Sequence, residues 1–99
     1  MEQEEKMKLI HPWIDPQERI TVNFLDEKDL NAEVLGCNEE LVDLAIETPI
    51  PHMKQRISLP LSQTIVSEDF SHYTRDPERP LKRSRLMLIV HKKRPAIIY

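Results

Sequence analysis

The chain has 99 residues, 39% of them apolar and 31% charged, with a formal net charge of −3. That length suits one domain with one core, burying roughly 60–65% of the unfolded surface, and the apolar fraction is lean for a globule but well above the disordered class. A transmembrane helix is excluded, because the longest apolar run is the LMLIV of 86–90, far short of the ~18–20 residues a membrane helix needs; the lone Cys37 excludes an internal disulfide and fits a reducing cytoplasm.

Residues 1–17 read as a lead-in. MEQEEKMKLI has the composition for a short N-terminal helix, which Pro12 and Pro16 then stop. The segment is acidic with no apolar stretch behind it, so it is not read as a signal peptide. Trp13 lies between the two prolines, where its large apolar ring would pin the lead-in to the body.

The domain proper is expected over 18–99. In ERITVNFL, Ile20, Val22 and Phe24 alternate with Thr21 and Asn23, the pattern of a half-buried strand. DEKD is turn-like. LNAEVLGCNEELVDLAIETPIP has two readings. As a hairpin, Ala32 and Val34 lead into a GCNEE turn, and Val42, Leu44 and Ile46 alternate on the return. As two helices, Gly36 ends the first and Asn38 caps the second. In that case Ala32, Gly36 and Val42 have helix-turn-helix spacing, but NEELVDLAIET carries Glu39, Glu40, Asp43 and Glu47 and no base. Such a helix would repel phosphate, so sequence-specific DNA reading is not expected. The clean period of two over 41–48 favours the hairpin.

PIPHMKQ reads as a loop. RISLPL alternates, with Ile57, Leu59 and Leu61 inward, and Pro60 removes a ladder donor, which predicts an edge strand or a bulge. SEDFSHYTRDPERP reads as a long polar loop over 67–81, with a helical turn near Ser67. RLMLIV is apolar on both faces, which predicts a central strand covered on both sides. Lys92, Lys93 and Arg94 then fall at a turn, and AIIY makes a short last strand or a packed tail. With one glycine in the chain, tight turns must rely on Asn and Asp.

Short strands in series predict a mainly β chain, a small single-domain β-barrel or β-roll. The succession ITVNF…AEVLG…LVDLAIE…RISLPL, about half the chain, resembles small barrels of the Sm and SH3-like kind in size and architecture. The resemblance implies a fold and no particular family.

Charge is unevenly placed. Residues 1–70 hold 6 basic and 15 acidic residues, a net of −9, whereas 71–99 hold 8 basic and 2 acidic, a net of +6. The basic end either packs on the acidic body or serves as a docking site. Arg75, Arg79, Lys82, Arg83 and Arg85 cluster with Tyr73 nearby, a set able to hold phosphates or carboxylates and to stack a base. RDPER and RPLKR each place Arg at i and i+4, a spacing found in PilZ domains; the glycine-containing half of that signature is missing, because no Gly follows Gly36. A chain with one Gly also builds no phosphate-cradling loop.

The remaining chemistry is sparse. His11, His52, His72 and His91 have no zinc-ligand spacing with one another or with Cys37. Cys37 would act as a nucleophile only if a histidine approached it in space. The carboxylate groups Asp26, Glu27 and Asp29, Glu39 and Glu40, and Glu68 and Asp69 fall where turns are expected. No cofactor or metal is expected. The sequence points to a non-enzymatic cytoplasmic binding or assembly module, whose partner is a protein or a second copy of itself. The alternative is an RNA or anionic-ligand binder using 75–85.

Overall fold

A polar residue at every second position cannot be buried in an apolar layer, so each alternating segment of this chain folds as a strand with one wet face. In a computed structural model, which describes residues 2–14, 18–73 and 82–98 (those at 69–73 and 82–84 by their backbone alone), six strands form: β1 (Ile20–Asn23), β2 (Leu30–Cys37), β3 (Leu41–Glu47), β4 (Lys54–Pro60), β5 (Thr64–Tyr73) and β6 (Lys82–Val90). One helix, α1 (Gln3–Ile10), precedes them and passes into a 3₁₀ turn over His11–Trp13. The strand order is β4-β3-β2-β1-β6-β5, antiparallel throughout except for the parallel β1–β6 pair. The mixed sheet curls into a half-barrel. No described helix is long and apolar enough to cross a membrane.

The 27–48 segment is the expected hairpin. Ala32 faces Ile46 and Val34 faces Leu44. Asn38 makes the turn: its Oδ1 accepts from the Glu40 and Leu41 amides, both at 2.8 Å, which an Asn side chain does without glycine. An extra residue at Leu35–Gly36 forms a bulge, so Gly36 faces Asp43 and Cys37 faces Val42. Bulges bend and twist a strand, and this one helps curl the sheet.

The sheet's two outer strands are consecutive in the chain. β4 ends at Pro60, a 3₁₀ turn over Leu61–Gln63 follows, and β5 starts at Thr64. Thr64 Oγ1 donates to Pro60 O at 2.8 Å, so the opposite edges meet at this corner. The expected edge position of the Pro60 strand is therefore what the fold adopts.

The concave face carries Ile20, Val22, Ala32, Val34, Val42, Leu44, Ile46, Leu59, Val66, Leu86, Leu88 and Val90, all buried, and Ile10 of α1 and Leu61 are fully buried among them. Met7, Leu9, Trp13 and Ile14 pack on this cluster, so Trp13 does anchor the N-terminal segment. Lys6 Nζ donates to Leu61 O at 2.6 Å, tying α1 to the corner turn.

Four expectations need correction. β5 continues as strand through Tyr73, so the polar loop over 67–81 is strand in its first part and has no helical turn near Ser67; 74–81 lies outside the described residues. The polar residues of SEDFSHY are tolerated because β5 is an edge, where backbone pairing with β6 needs no second apolar face. Glu68 and Asp69 accordingly sit in a strand rather than a turn. β6 is central, as expected, but covered on one face only. Leu86, Leu88 and Val90 are buried, while Met87 and Ile89 stay half-buried on the outer face, shielded by neighbours such as Asn23, whose Nδ2 lies 3.0 Å from Met87 Sδ. Finally, of the short last strand or packed tail expected for AIIY, the strand does not form over the described residues 96–98, and Ile98 is 88% exposed.

Two stability measurements check this packing. Leu88→Ala removes a fully buried side chain and should cost about 2–5 kcal/mol in chemical denaturation. Gly36 has no positive φ, and an added Cβ would meet only Asp43 Oδ2, at 3.8 Å. Gly36→Ala should therefore be neutral or stabilising, by up to about 1 kcal/mol.

Candidate functional site

The basic cluster sits at the far end of the β5–β6 hairpin. Tyr73 pairs with Lys82, His72 with Arg83 and Asp69 with Arg85, with a bulge between Asp69 and His72. An aromatic and a cationic residue are thus direct cross-strand neighbours. Arg75 and Arg79 lie outside the described residues. Arg85 alone has a described side chain, and it is half-buried. Its guanidinium donates to Asn31 Oδ1. Asn31 in turn donates to Glu47, from its backbone N at 3.0 Å and from Nδ2 at 3.3 Å.

This bond begins a polar network over the outer face of the sheet. Lys54 Nζ pairs with Glu33 Oε1 at 2.6 Å, and Ser58 Oγ donates to Asp43. Between the strands lies a cavity of about 90 Å³, lined by Arg19, Asn31, Glu33, Ala45, Glu47 and Lys54. It has room for about three waters and is far below the ~300 Å³ at which organic-ligand pockets begin. Among the described residues, no group of three His, Cys, Asp or Glu side chains is placed to hold a metal ion.

Cys37 does meet a histidine, but in the wrong geometry for a nucleophile. His11 Nε2 lies 3.3 Å from the Cys37 carbonyl oxygen, whereas the thiol itself donates to Asn38 O at 3.5 Å. Burial, and then the nearby Asp43 carboxylate, raise the thiol above the ordinary cysteine range. Both causes disfavour the thiolate, the reactive form.

The side chain that the structure singles out is Arg94. KKRP reads as a solvated turn, yet the Arg94 side chain is only 4% exposed. Its Nη1 donates to Glu27 Oε2 at 2.9 Å, its Nε to Gln55 Oε1 at 2.8 Å and its Nη2 to the Glu47 carbonyl. Its backbone amide donates to Asp26 Oδ1 at 2.8 Å. Local structure explains the placement. Pro95 disfavours helical backbone at the preceding residue, and no helix forms there. The 24–29 turn is fixed by Phe24 N donating to Glu27 O at 2.7 Å and by Asp29 N donating to Asn23 Oδ1 at 2.6 Å. Asp29 takes a φ of 59° there, a region Asp tolerates better than most residues. That turn presents the Asp26 and Glu27 carboxylates to the C-terminal segment. Leu25 N donates to Lys92 O at 2.9 Å alongside them. The partners of Arg94 lie 39 to 68 positions away in sequence, so no local motif announces them.

Comparison with family models, with curated proteins and with solved structures finds no match to this chain.

Two measurements test this chemistry. Iodoacetamide should label Cys37 more slowly in the folded chain than in urea at neutral pH. Because the folded thiol keeps its proton longer, stability should fall as pH rises past the range where an unfolded cysteine ionises. Arg94→Ala should destabilise by about 3 kcal/mol, the lower end for breaking a buried pair, since Glu27 is 47% exposed and can rehydrate.

Proposed function

We propose that this chain is a non-enzymatic cytoplasmic binding or assembly module that takes a protein partner, or a second copy of itself, along the β5 edge. The observation that carries the reading is that edge. β5 is 10 residues long and contains no proline, and among the described residues it pairs on one side only, with β6. A strand of that kind offers unpaired backbone donors and acceptors to an incoming strand, and proteins commonly blunt such edges unless they are used. Ile65, 47% exposed on the outer face, faces Ile89 across the pair and gives an incoming strand an apolar contact. Both edges carry charges, Glu68 and Asp69 on β5 and Lys54 and Arg56 on β4, but β4 ends in Pro60 whereas β5 has no proline. At Cys37, burial and the nearby Asp43 carboxylate disfavour the reactive thiolate, which favours binding over nucleophilic catalysis there.

A second reading, binding of RNA or an anionic ligand through Tyr73, Arg75, Arg79, Lys82, Arg83 and Arg85, is favoured by one observation. The register sets Tyr73 against Lys82 and His72 against Arg83, so at these two positions a ring-bearing residue is paired with a cationic one, the two residue types that single-strand binding combines. The commitment of Arg85 to Asn31 weighs against it.

Pull-down from a native lysate, with and without nuclease, combined with sedimentation velocity of the purified chain, separates the readings. Edge docking predicts nuclease-resistant capture or self-association, lost in Ile65→Lys while thermal stability stays within about 0.5 kcal/mol. RNA binding predicts retention that falls with salt, about 0.7 in the log–log slope for each phosphate contact, and a flatter slope in the Lys82→Ala, Arg83→Ala double variant. Capture and assembly unchanged by Ile65→Lys would overturn the edge reading.

A further inference from the structure

The segment that follows β6, 91–98, adds no strand to the sheet. Arg94 is its one buried residue; His91, Lys92, Lys93, Pro95, Ala96 and Ile98 are exposed. A tail that completed the core would bury apolar side chains, because that is where the free energy of burial lies. This one leaves Ile98 in solvent and buries a guanidinium. Lys92 ties its start, accepting at O from Leu25 N and donating from Nζ to Gln63, but its one buried anchor is Arg94, and that anchor is chemically selective. A carboxylate from the β1–β2 turn, an amide oxygen from β4 and a backbone carbonyl from the end of β3 converge on the three nitrogens of one planar fork. An ammonium group, with one nitrogen, cannot reach all three. The body also reads the backbone on both sides of the arginine. Asp26 accepts the Arg94 N–H, and Gln55 Nε2 donates to Pro95 O at 2.8 Å and to Ala96 O at 3.3 Å. One side-chain pocket together with main-chain bonds to a segment outside regular secondary structure is how peptide grooves recognise their ligands.

We propose that this mouth of the half-barrel is a peptide-binding site selective for arginine, that residues 91–98 occupy it in cis, and that an extended, arginine-bearing segment of a protein partner displaces them. The proposal rests on the binding-module reading above and names the partner's chemistry. Charge favours such a partner, because Asp26 and Glu27 line the mouth within a body that is net negative over 1–70. The tail is a built-in competitor. Joined by a short linker, it acts at an effective concentration of order millimolar, so weak or chance arginine peptides are excluded and only a segment with further contacts enters.

The test uses the 99-residue chain carrying Arg94→Ala, in which the strap has lost its anchor, and the synthetic peptide HKKRPAIIY as probe. The peptide should bind this variant with saturation in fluorescence anisotropy and raise its Tm towards that of the wild type. Versions with lysine or citrulline in place of the arginine should bind at least about tenfold more weakly, a loss of about 1.4 kcal/mol. The unsubstituted chain should bind the labelled peptide far more weakly than the variant, because its own Arg94 fills the site. If Arg94→Ala does not fold, Arg94→Lys, which keeps the stem and the charge but not the fork, gives the same readings. An arginine peptide that fails to bind a folded variant, or binds no better than the lysine version, overturns the proposal and leaves 91–98 a structural seam. Such a failure, with Ile65-dependent association intact, removes the arginine site and leaves the binding-module reading standing; loss of both removes both.

Discussion

The parallel ladder between β1 and β6, Thr21 against Met87, Val22 against Leu88 and Asn23 against Ile89, is the interaction on which the rest of the molecule depends. Without it the chain is a four-stranded antiparallel run, β1 to β4, and a separate hairpin, β5–β6. Neither would bury its apolar face alone. The ladder joins segments more than 60 positions apart, and closing so long a loop is entropically costly before any contact offsets it. Leu86, Leu88 and Val90 meet that cost by entering the same buried layer as Ile20 and Val22. Because the pairing is parallel, β6 also ends beside the turn that follows β1. That placement brings Lys92 to Leu25, and Arg94 to Asp26 and Glu27.

A curled sheet with one apolar face has two open mouths, and this chain closes them by different means. At the mouth formed by Cys37, Leu41 and Pro60, α1 inserts Ile10 and is fastened through Lys6 to Leu61 and through His11 to the Cys37 carbonyl. That closure is hydrophobic, with hydrogen bonds at its rim. At the mouth formed by Leu30, Glu47 and Lys54, closure falls to the 91–98 segment through a guanidinium each of whose three nitrogens donates to the body. A buried charge is tolerated only with its donors satisfied and a counter-charge close by. Every described buried side-chain nitrogen and oxygen does have a partner. The two seals therefore differ in selectivity. An apolar helix face can be replaced by many sequences, whereas a three-way acceptor set fits arginine and little else.

The charge imbalance along the chain is partly an internal matter. Arg94 meets Glu27, and Arg85 joins the outer-face network through Asn31 to Glu47. Among the described side chains, Arg85 and Arg94 are thus engaged with the acidic body. Lys82 and Arg83 stand on the hairpin beyond the reach of β1, whose ladder with β6 spans only Met87 to Ile89. The acidic turn residues divide in the same way. Asp26 and Glu27 hold the tail, while Glu39 and Glu40 sit exposed at the β2–β3 turn.

What the sequence by itself determined is the set of elements and their inward faces. Period-two alternation marked Ile20 and Val22, Ala32 and Val34, Val42 to Ile46, and Leu59, because a half-buried strand requires it locally. Pro60 marked an edge, and Asn38 served as the turn residue in a chain with one glycine, each for a local backbone reason. Composition did not reveal that SEDFSHY is strand, since a polar segment pairs at an edge only when a neighbour such as β6 is present. It did not reveal that Met87 and Ile89 go without a covering layer, since two apolar faces look the same whether they meet another layer or only flanking side chains. Nor did it reveal Arg94. KKRP is indistinguishable from a solvated turn until the β1–β6 ladder sets it beside Asp26, Glu27 and Gln55. A buried charge is defined by partners distant in sequence, and only the tertiary structure brings them together.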